Sequence, residues 1–270
     1  MPSGKREASS IIYIAPYDCA TIGFGELASA NVVGYMDVAK KSGYNFAGGG
    51  SMFVTPGATS YSLAQLAISG PGNKNIARMN YIQFMAAGNA AKLDATKAYY
   101  YFGGKWYSRT GTSVANDPEV EDPTSVTVSA GQGFLTCLPL ATAKITYNGE
   151  VITGAEKVIT VAKPTGYNFF IAANPCAAEI SLAEMTITGP GNKNIARMNY
   201  IQSFAAGNAA KLDAAKAYYY FGGKWYSRTG TSVANDPEVT DPTTIKFAAG
   251  EGVLCCLPLA TAKVNFPTSL

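Results

Sequence analysis

The stretch KAYYYFGGKWYSRTGTSVANDPEV, residues 97–120, occurs twice in the 270-residue chain and recurs without a change at residues 216–239. In each copy, two aromatic runs that favour strands flank a Gly-Gly pair. Two adjacent glycines permit the positive φ angles of a tight turn between antiparallel strands. Each copy therefore predicts a β-hairpin, with Gly103 and Gly104 in the first turn.

Both faces of this hairpin carry aromatic side chains. Tyr101 is expected opposite Trp106 on one face, and Tyr100 opposite Tyr107 on the other. One face can cover the core of its own domain, which leaves the other for a neighbouring subunit or a ligand. Packing inside the domain is the alternative interpretation for any of these rings. The predicted aromatic contact surface comprises Tyr100, Phe102, Trp106, Tyr107, Tyr219, Phe221, Trp225 and Tyr226.

The repetition extends well beyond the hairpin. GPGNKNIARMNYIQ is identical at residues 70–83 and 189–202, and residues 68–147 as a whole recur as residues 187–266 with most positions unchanged. Polar, solvent-facing residue types are retained along with the apolar ones, which a shared core alone would not require. Two copies of one surface suit self-assembly or bivalent attachment better than a single active site.

The duplication divides the chain into an N-terminal arm, residues 1–30, a first β domain, residues 31–147, and a second, residues 148–270. The boundary is set at the Asn148-Gly149 turn signal. Residues 125–147 predict strand, glycine-containing turn, strand and strand. We therefore expect an all-β protein of two tandem, similar β-sandwich-like domains, each with about six to eight strands. Single helical turns are expected at residues 62–68 and 181–187 and in the two GNAAKLDA-type segments.

The arm contains a strand-like sequence outside both repeats. β-Branched and aromatic residues dominate SSIIYIA, and we expect a donor strand that completes a sheet in the next molecule. Two alternatives stay open: the arm folds onto its own first domain, or residues 1–30 are a secretory signal, a poor one because of Pro16, Asp18 and Glu26. The predicted assembly residues are Ser10, Ile11, Ile12, Tyr13 and Ile14.

Several short motifs resemble those of a known group. The chain has a Val-Gly-Tyr strand at residues 33–35, a Gly-Tyr-Asn turn at 43–45, the aromatic hairpin, Ala-Gly-x-Gly before an apolar strand, and Asn-Gly-Glu-Val at 148–151. This pattern resembles the poorly characterised secreted tandem-repeat β proteins of bacterial cell surfaces. The resemblance implies an extracellular, non-enzymatic role and supplies no catalytic residues. The N-terminus departs from the group's pattern because its signal sequence is poor.

The composition of the chain limits the classes of partner that it can bind. Charged residues make up 14% of the chain and the formal net charge is +3, which is not the basic footprint of a nucleic-acid-binding protein. No apolar run approaches the roughly 18 to 20 residues that a membrane-spanning helix needs. Low charge, 28 glycines and 17 tyrosines favour a surface that packs against copies of itself.

The chemistry of catalysis is sparse. The chain has no histidine, so it has neither Ser-His-Asp nor Cys-His catalysis, nor histidine-ligated zinc or copper. It also lacks a phosphate-binding loop ending in Gly-Lys-Ser/Thr and the G-x-S-x-G elbow of hydrolases. We therefore predict that the protein is not an enzyme.

One acidic loop suggests a cation. The sequences NDPEVEDP and NDPEVTDP place several oxygen ligands close together, and such ligands suit Ca²⁺. A plain solvated loop explains them equally well, and no other cofactor is expected. The candidate ligands are Asp117, Glu119, Asp122, Asp236, Glu238 and Asp241.

The spacing of the five cysteines does not match the disulfide framework of a small secreted domain. Cys137 and Cys256 are equivalent positions within strand-like runs and are expected to be buried. Cys255 replaces Thr136 of the first repeat, and Cys176 has no cysteine counterpart. These two residues could form a disulfide, which would imply an oxidising location, or remain independent thiols.

Together these features favour a structural, self-assembling subunit of an extracellular filament, tube or surface layer. β-Strand addition and repeated domain contacts would join its copies. The alternative is a bivalent carbohydrate-binding or adhesin module that binds glycans through the aromatic hairpins.

Overall fold

The computed structural model describes residues 32–50, 60–69, 79–111, 116–129, 131–140, 142–151, 158–176, 178–189, 198–229, 235–258 and 261–267. Within these ranges the chain is nearly all β, which confirms the predicted all-β class. No helix in them combines the length and apolar character needed to cross a membrane. The proposed assembly residues, Ser10 to Ile14, lie outside the described residues.

Ten strands are described in each repeat, more than the six to eight expected. The first repeat contains β1 (Val32–Ala39), β2 (Phe46–Gly50), β3 (Ser60–Ser62), β4 (Leu66–Ser69), β5 (Tyr81–Met85), β6 (Leu93–Phe102), β7 (Lys105–Ser108), β8 (Thr127–Ser129), β9 (Gln132–Cys137) and β10 (Lys144–Val151). The second contains β11 (Val158–Ala162), β12 (Phe169–Ala173), β13 (Ile180–Ser181), β14 (Thr186–Thr188), β15 (Tyr200–Phe204), β16 (Leu212–Phe221), β17 (Lys224–Ser227), β18 (Lys246–Phe247), β19 (Glu251–Cys256) and β20 (Lys263–Pro267).

Local predictions hold in part. Leu63–Gln65 and Leu182–Glu184 form 3-10 turns at the expected places, with Ser62 and Ser181 before them. The GNAAKLDA-type segments are not helical, because strands β6 and β16 begin at their leucines. Asn148 and Gly149 do not form a turn either. They lie inside β10 and pair with Tyr35 and Gly34 of β1.

Each repeat is a sandwich with its own core. A small antiparallel sheet, β1–β10–β4 or β11–β20–β14, packs over part of a larger sheet. In the first repeat, Leu66 and Ile145 of the small sheet contact a core that also contains Ile82, Trp106 and Phe134 of the large one, all nearly inaccessible to solvent. Val264 and Phe266 face Ile201 and Trp225 in the same way in the second repeat. Buried residues alternate with more exposed ones along β20 of the small sheet, whereas β9 of the large sheet is buried along its whole length.

The large sheet is continuous through both repeats. Its strand order is β7–β6–β5–β9–β12–β19–β15–β16–β17, so strands of the first repeat pair directly with strands of the second. The two repeats are therefore interleaved at their junction. The hairpins β6–β7 and β16–β17 lie at its opposite ends.

Four strands close a ring at this junction. β2 pairs with β9 and with β19, while β12 pairs with β19 and with β9, all antiparallel. Gly48 of β2 has Leu135 as one partner and Gly252 as the other, which puts the two neighbours on opposite edges of β2. We call β2, β9, β12 and β19 the junction ring.

Glycines let the backbones of the junction ring approach one another. A Cβ atom on Gly48 would lie 2.3 Å from the carbonyl oxygen of Gly252, and one on Gly133 would lie 2.3 Å from that of Gly49. No side chain fits at such distances. Ile171 provides the bulk inside the ring and packs with Leu135 and Leu254.

Candidate functional site

The two hairpins have the predicted register. Tyr101 pairs with Trp106 and Tyr100 with Tyr107, and the turn glycines, Gly103 and Gly104, have φ angles of 60° and 83°. These are the angles of a type I′ turn, whose twist matches that of the flanking strands. The second hairpin, turning at Gly222 and Gly223, has the same register and nearly the same angles.

The tryptophans point into the cores. Trp106 is 3% exposed and Trp225 is 4% exposed. The indole Nε1–H of Trp106 donates a hydrogen bond to the carbonyl oxygen of Leu66 at 3.2 Å, and that of Trp225 to Met185 at 3.1 Å. Neither ring can therefore belong to an exposed contact surface, because both are used to join the two sheets of their sandwich.

The other face of each hairpin is largely buried as well. Tyr100 and Tyr219 are 1% exposed, and each stacks on the next strand's tyrosine, Tyr107 at 5.2 Å and Tyr226 at 5.1 Å between ring centroids. Burial raises the pKa of Tyr100 and of Tyr219 to about 12. Tyr107 and Tyr226, which are half-buried, keep a partly accessible edge.

A cation–π contact extends this stack in both repeats. The guanidinium carbon of Arg109 lies 4.4 Å from the ring centroid of Tyr81, and that of Arg228 lies 4.3 Å from Tyr200. Such contacts fix the strand end against the sheet. Sequence reasoning missed these arginines, although their identical placement immediately after each KWYS run was a signal.

What remains exposed on each hairpin is its tip. Phe102 and Phe221 are 37% and 38% exposed, the large hydrophobic residues most open to solvent among those described. Beside them, Lys105 pairs with Glu119 and Lys224 with Glu238, each at 2.9 Å. We call Phe102, Lys105 and Glu119, with their equivalents Phe221, Lys224 and Glu238, the hairpin tips.

The outer edges of the large sheet are already occupied. Ser108 N–H donates to the carbonyl of Pro118 at 2.9 Å, and Val120 N–H donates to that of Trp106 at 2.8 Å. Residues 118–120 thus run along β7, and residues 237–239 run along β17 through the equivalent bonds. A short covering segment of this kind prevents another strand from pairing there.

The small sheets have different edges. Among the described residues, β1 pairs only with β10, over eight residues, and β11 pairs only with β20, over five. Each therefore presents one edge that no described strand covers. Backbone N–H and C=O groups at such an edge are a template for an added strand.

The acidic loops do not gather their carboxylates at one point. Asp117 accepts hydrogen bonds from the backbone N–H and hydroxyl of Thr110, at 2.9 and 2.6 Å, while Glu119 pairs with Lys105. Asp122 accepts from Thr124, which lowers its pKa. Asp236, Glu238 and Asp241 repeat these contacts. Within the described part of the chain, no three acidic or cysteine side chains are placed to hold a metal ion.

Cys255 is a buried, free thiol and is not joined to Cys176, so of the two possibilities that the sequence left open the structure has two separate cysteines. Cys176 donates from its Sγ to the carbonyl of Pro267, and Cys255 is fully buried in the second core. Cys137 and Cys256 are buried, as predicted, and burial raises the pKa of Cys137 to about 11. The thiols therefore act as small core residues.

Comparison with models of protein families, with curated proteins and with solved structures gave no match to this chain.

Proposed function

We propose that the protein is a structural, self-assembling subunit whose copies join by β-strand addition to the small sheets. The observation that carries this proposal is the pair of related edges, on β1 and β11. One donor strand and one acceptor edge in each copy are what a head-to-tail polymer requires, and the second edge gives each copy a further attachment point. The continuous large sheet, through which the repeats are joined, would keep the edges at a fixed geometry.

The donor in this proposal is the N-terminal strand around Ser10 to Ile14. Its β-branched and aromatic composition suits addition to an eight-residue edge such as that of β1. Main-chain hydrogen bonds would provide affinity, and the side chains would set the register.

The hairpin tips would supply a second contact. Phe102 and Phe221 expose apolar surface at the two ends of one sheet, each beside an ion pair. Because the tips are identical, copies could meet tip to tip with complementary charges exchanged between them. Such repeated contacts favour filaments, tubes or layers over closed dimers.

The glycan-binding alternative loses most of its support. Of the rings proposed to stack on a glycan, Trp106, Trp225, Tyr100 and Tyr219 are buried. Tyr107 and Tyr226 keep only a partly accessible edge. The extracellular location proposed with the structural role rests on the resemblance of the motifs.

Deletion of residues 1–15 tests the strand-addition mechanism. We expect the full-length protein to form regular polymers by negative-stain electron microscopy and light scattering. The shortened protein should give single subunits with an unchanged circular dichroism spectrum, because its donor strand is missing. If the shortened protein forms polymers of unchanged appearance, the strand-addition mechanism is wrong.

A matched variant separates the two contacts. Phe102→Lys combined with Phe221→Lys leaves the arm intact and places like charges at the tips. It should weaken lateral association and leave strand addition in place. A full-length protein that stays monomeric at every concentration would overturn the structural role, and a glycan screen would then test the alternative.

A further inference from the structure

A cavity of about 280 Å³ lies where the end of the first core meets the second repeat. Its walls are mainly apolar, with Val38, Ala47, Leu138 and Ile145 from the first repeat and Ala249 from the second. An apolar cavity of about 150 Å³ is already enough to hold a benzene molecule in an engineered protein. This cavity therefore has room for one substituted ring.

The second repeat shows what fills the equivalent space. Ala47 pairs with Thr136 in the first repeat, and Phe170 pairs with Cys255 in the second. Since Thr136 and Cys255 are equivalent positions, Phe170 is the equivalent of Ala47. Phe170 is fully buried in the second core. A benzyl group thus occupies the position that the first repeat leaves open.

Neighbouring residues reflect the same difference. Val161, the equivalent of Val38, is 1% exposed, whereas Val38 is only half-buried. Tyr147 lines the cavity where the second repeat has Phe266, so the first repeat alone adds a hydroxyl. The first repeat has Ala47 where the second has Phe170, which leaves space for a ring. It also has Tyr147 where the second has Phe266, which adds one hydroxyl to the wall of that space.

The polar groups define the chemistry of an occupant. Tyr147 is 1% exposed, and burial raises the pKa of its hydroxyl, although a backbone hydrogen bond with Gly50 acts in the opposite direction. The hydroxyl therefore keeps its proton, which it can donate to an occupant. At the rim, Lys41 and Glu251 neutralise each other at 3.2 Å. Lys40 already donates to the side-chain oxygen of Asn45 at 2.6 Å.

We propose that this cavity is a binding site for a small, neutral aromatic molecule of the phenol class. The ring lies in the space that Phe170 fills in the second repeat, between Ala47 and Ile145. The ligand's hydroxyl oxygen accepts a hydrogen bond from Tyr147. This site is distinct from the backbone edges and hairpin tips proposed for assembly, although Val38 and Ala39 of β1 contribute to its wall.

Titration of the full-length protein with phenol, followed by calorimetry and by the proton chemical shifts of the ligand, tests the site. Saturable binding is expected. Ala47→Phe should abolish it and raise the thermal midpoint, because the new ring copies the packing of Phe170. Ala215→Phe adds the same ring at an exposed position of β16 and should leave binding unchanged.

Tyr147→Phe is the second variant, since phenylalanine is the residue that the second repeat carries there. It should weaken phenol binding by about 3- to 10-fold, the effect of one hydrogen bond, and leave toluene binding unchanged. The proposal is overturned if phenol does not saturate the protein, or if folded Ala47→Phe binds phenol as before. A third outcome would also overturn it: the parent protein does not bind phenol, and Ala47→Phe changes the particle mass. The cavity would then be a contact with another copy of the chain.

Discussion

At the scale of single residues, burial determines what each aromatic ring does. Trp106 and Tyr101 share one face of the hairpin and contact edge to face, with their centroids 5.1 Å apart. The tryptophan's N–H then needs a partner inside the core, which the carbonyl of Leu66 supplies. Of the predicted aromatic surface, only Phe102 and Phe221, with the edges of Tyr107 and Tyr226, remain accessible.

The buried tyrosines predict a pH dependence. Burial raises the pKa of Tyr81 and of Tyr200 to about 12, against about 10 in an unfolded chain. The folded state then holds these protons more tightly, so their contribution to stability is complete below about pH 10 and is lost as the pH rises towards 12. We expect the urea midpoint to fall across this interval, while tyrosinate absorbance shows a class of tyrosines that ionises late.

Replacement of Tyr81 and Tyr200 by Phe provides the control. The double variant should lose part of that alkaline dependence and behave like the parent protein below pH 9. An unchanged slope between pH 10 and 12 would contradict the assignment to these two residues.

At the scale of elements, the hairpins show how a turn sets a register. The glycines of each turn have positive φ angles, and no heavy atom lies within 4 Å of a Cβ built on any of them. Their role is conformational, because an added side chain would meet no neighbour. The strand register and the inward position of both tryptophans depend on this turn.

Gly104→Ala should therefore destabilise the protein by about 1 to 2 kcal/mol, the cost of a left-handed conformation for a residue with a Cβ. Gly103→Asn should cost much less, since Asn-Gly is a favoured type I′ pair. Chemical denaturation measures both. Equal losses from the two variants would argue against a conformational cause, and Gly223→Ala in the second hairpin should reproduce the first result.

At the scale of the whole molecule, the junction ring makes the two repeats one unit. Backbone bonds outside the ring strengthen the junction: Asn45 N–H donates to Gly207, and Asn168 N–H donates to Gly88, both at 3.0 Å. These contacts are related by the internal symmetry. Neither repeat completes its part of the large sheet without the other.

We predict a single calorimetric unfolding transition for the whole chain. Gly48→Ala should lower its midpoint by an amount equivalent to about 3 kcal/mol or more, because the new methyl group would push apart the backbones of β2 and β19. Gly104→Ala should lower the unfolding midpoint less, because its new methyl group has no neighbouring heavy atom within 4 Å. Two resolved transitions, with Gly48→Ala affecting only one of them, would show that the repeats unfold independently.

The sequence by itself determined the local features. Period-two patterning and paired glycines identified the hairpins, their register and the all-β class, since these depend on neighbours in the chain. The closely similar repeats predicted two similar cores. The same reasoning set the boundary at Asn148-Gly149, where a strand continues, because pairing with β1 overrides the local turn preference.

Only the tertiary structure decided what lies between the repeats. In the junction ring, strands of one repeat pair with strands of the other. This pairing depends on close backbone approach between residues that are more than a hundred positions apart, such as Gly48 and Gly252. Which hairpin face is buried depends on the sheet that packs against it. The cavity follows from small residues at Ala47 to Gly49 facing a partner from the other repeat, a relation that no local pattern records because packing is set by distant parts of the chain.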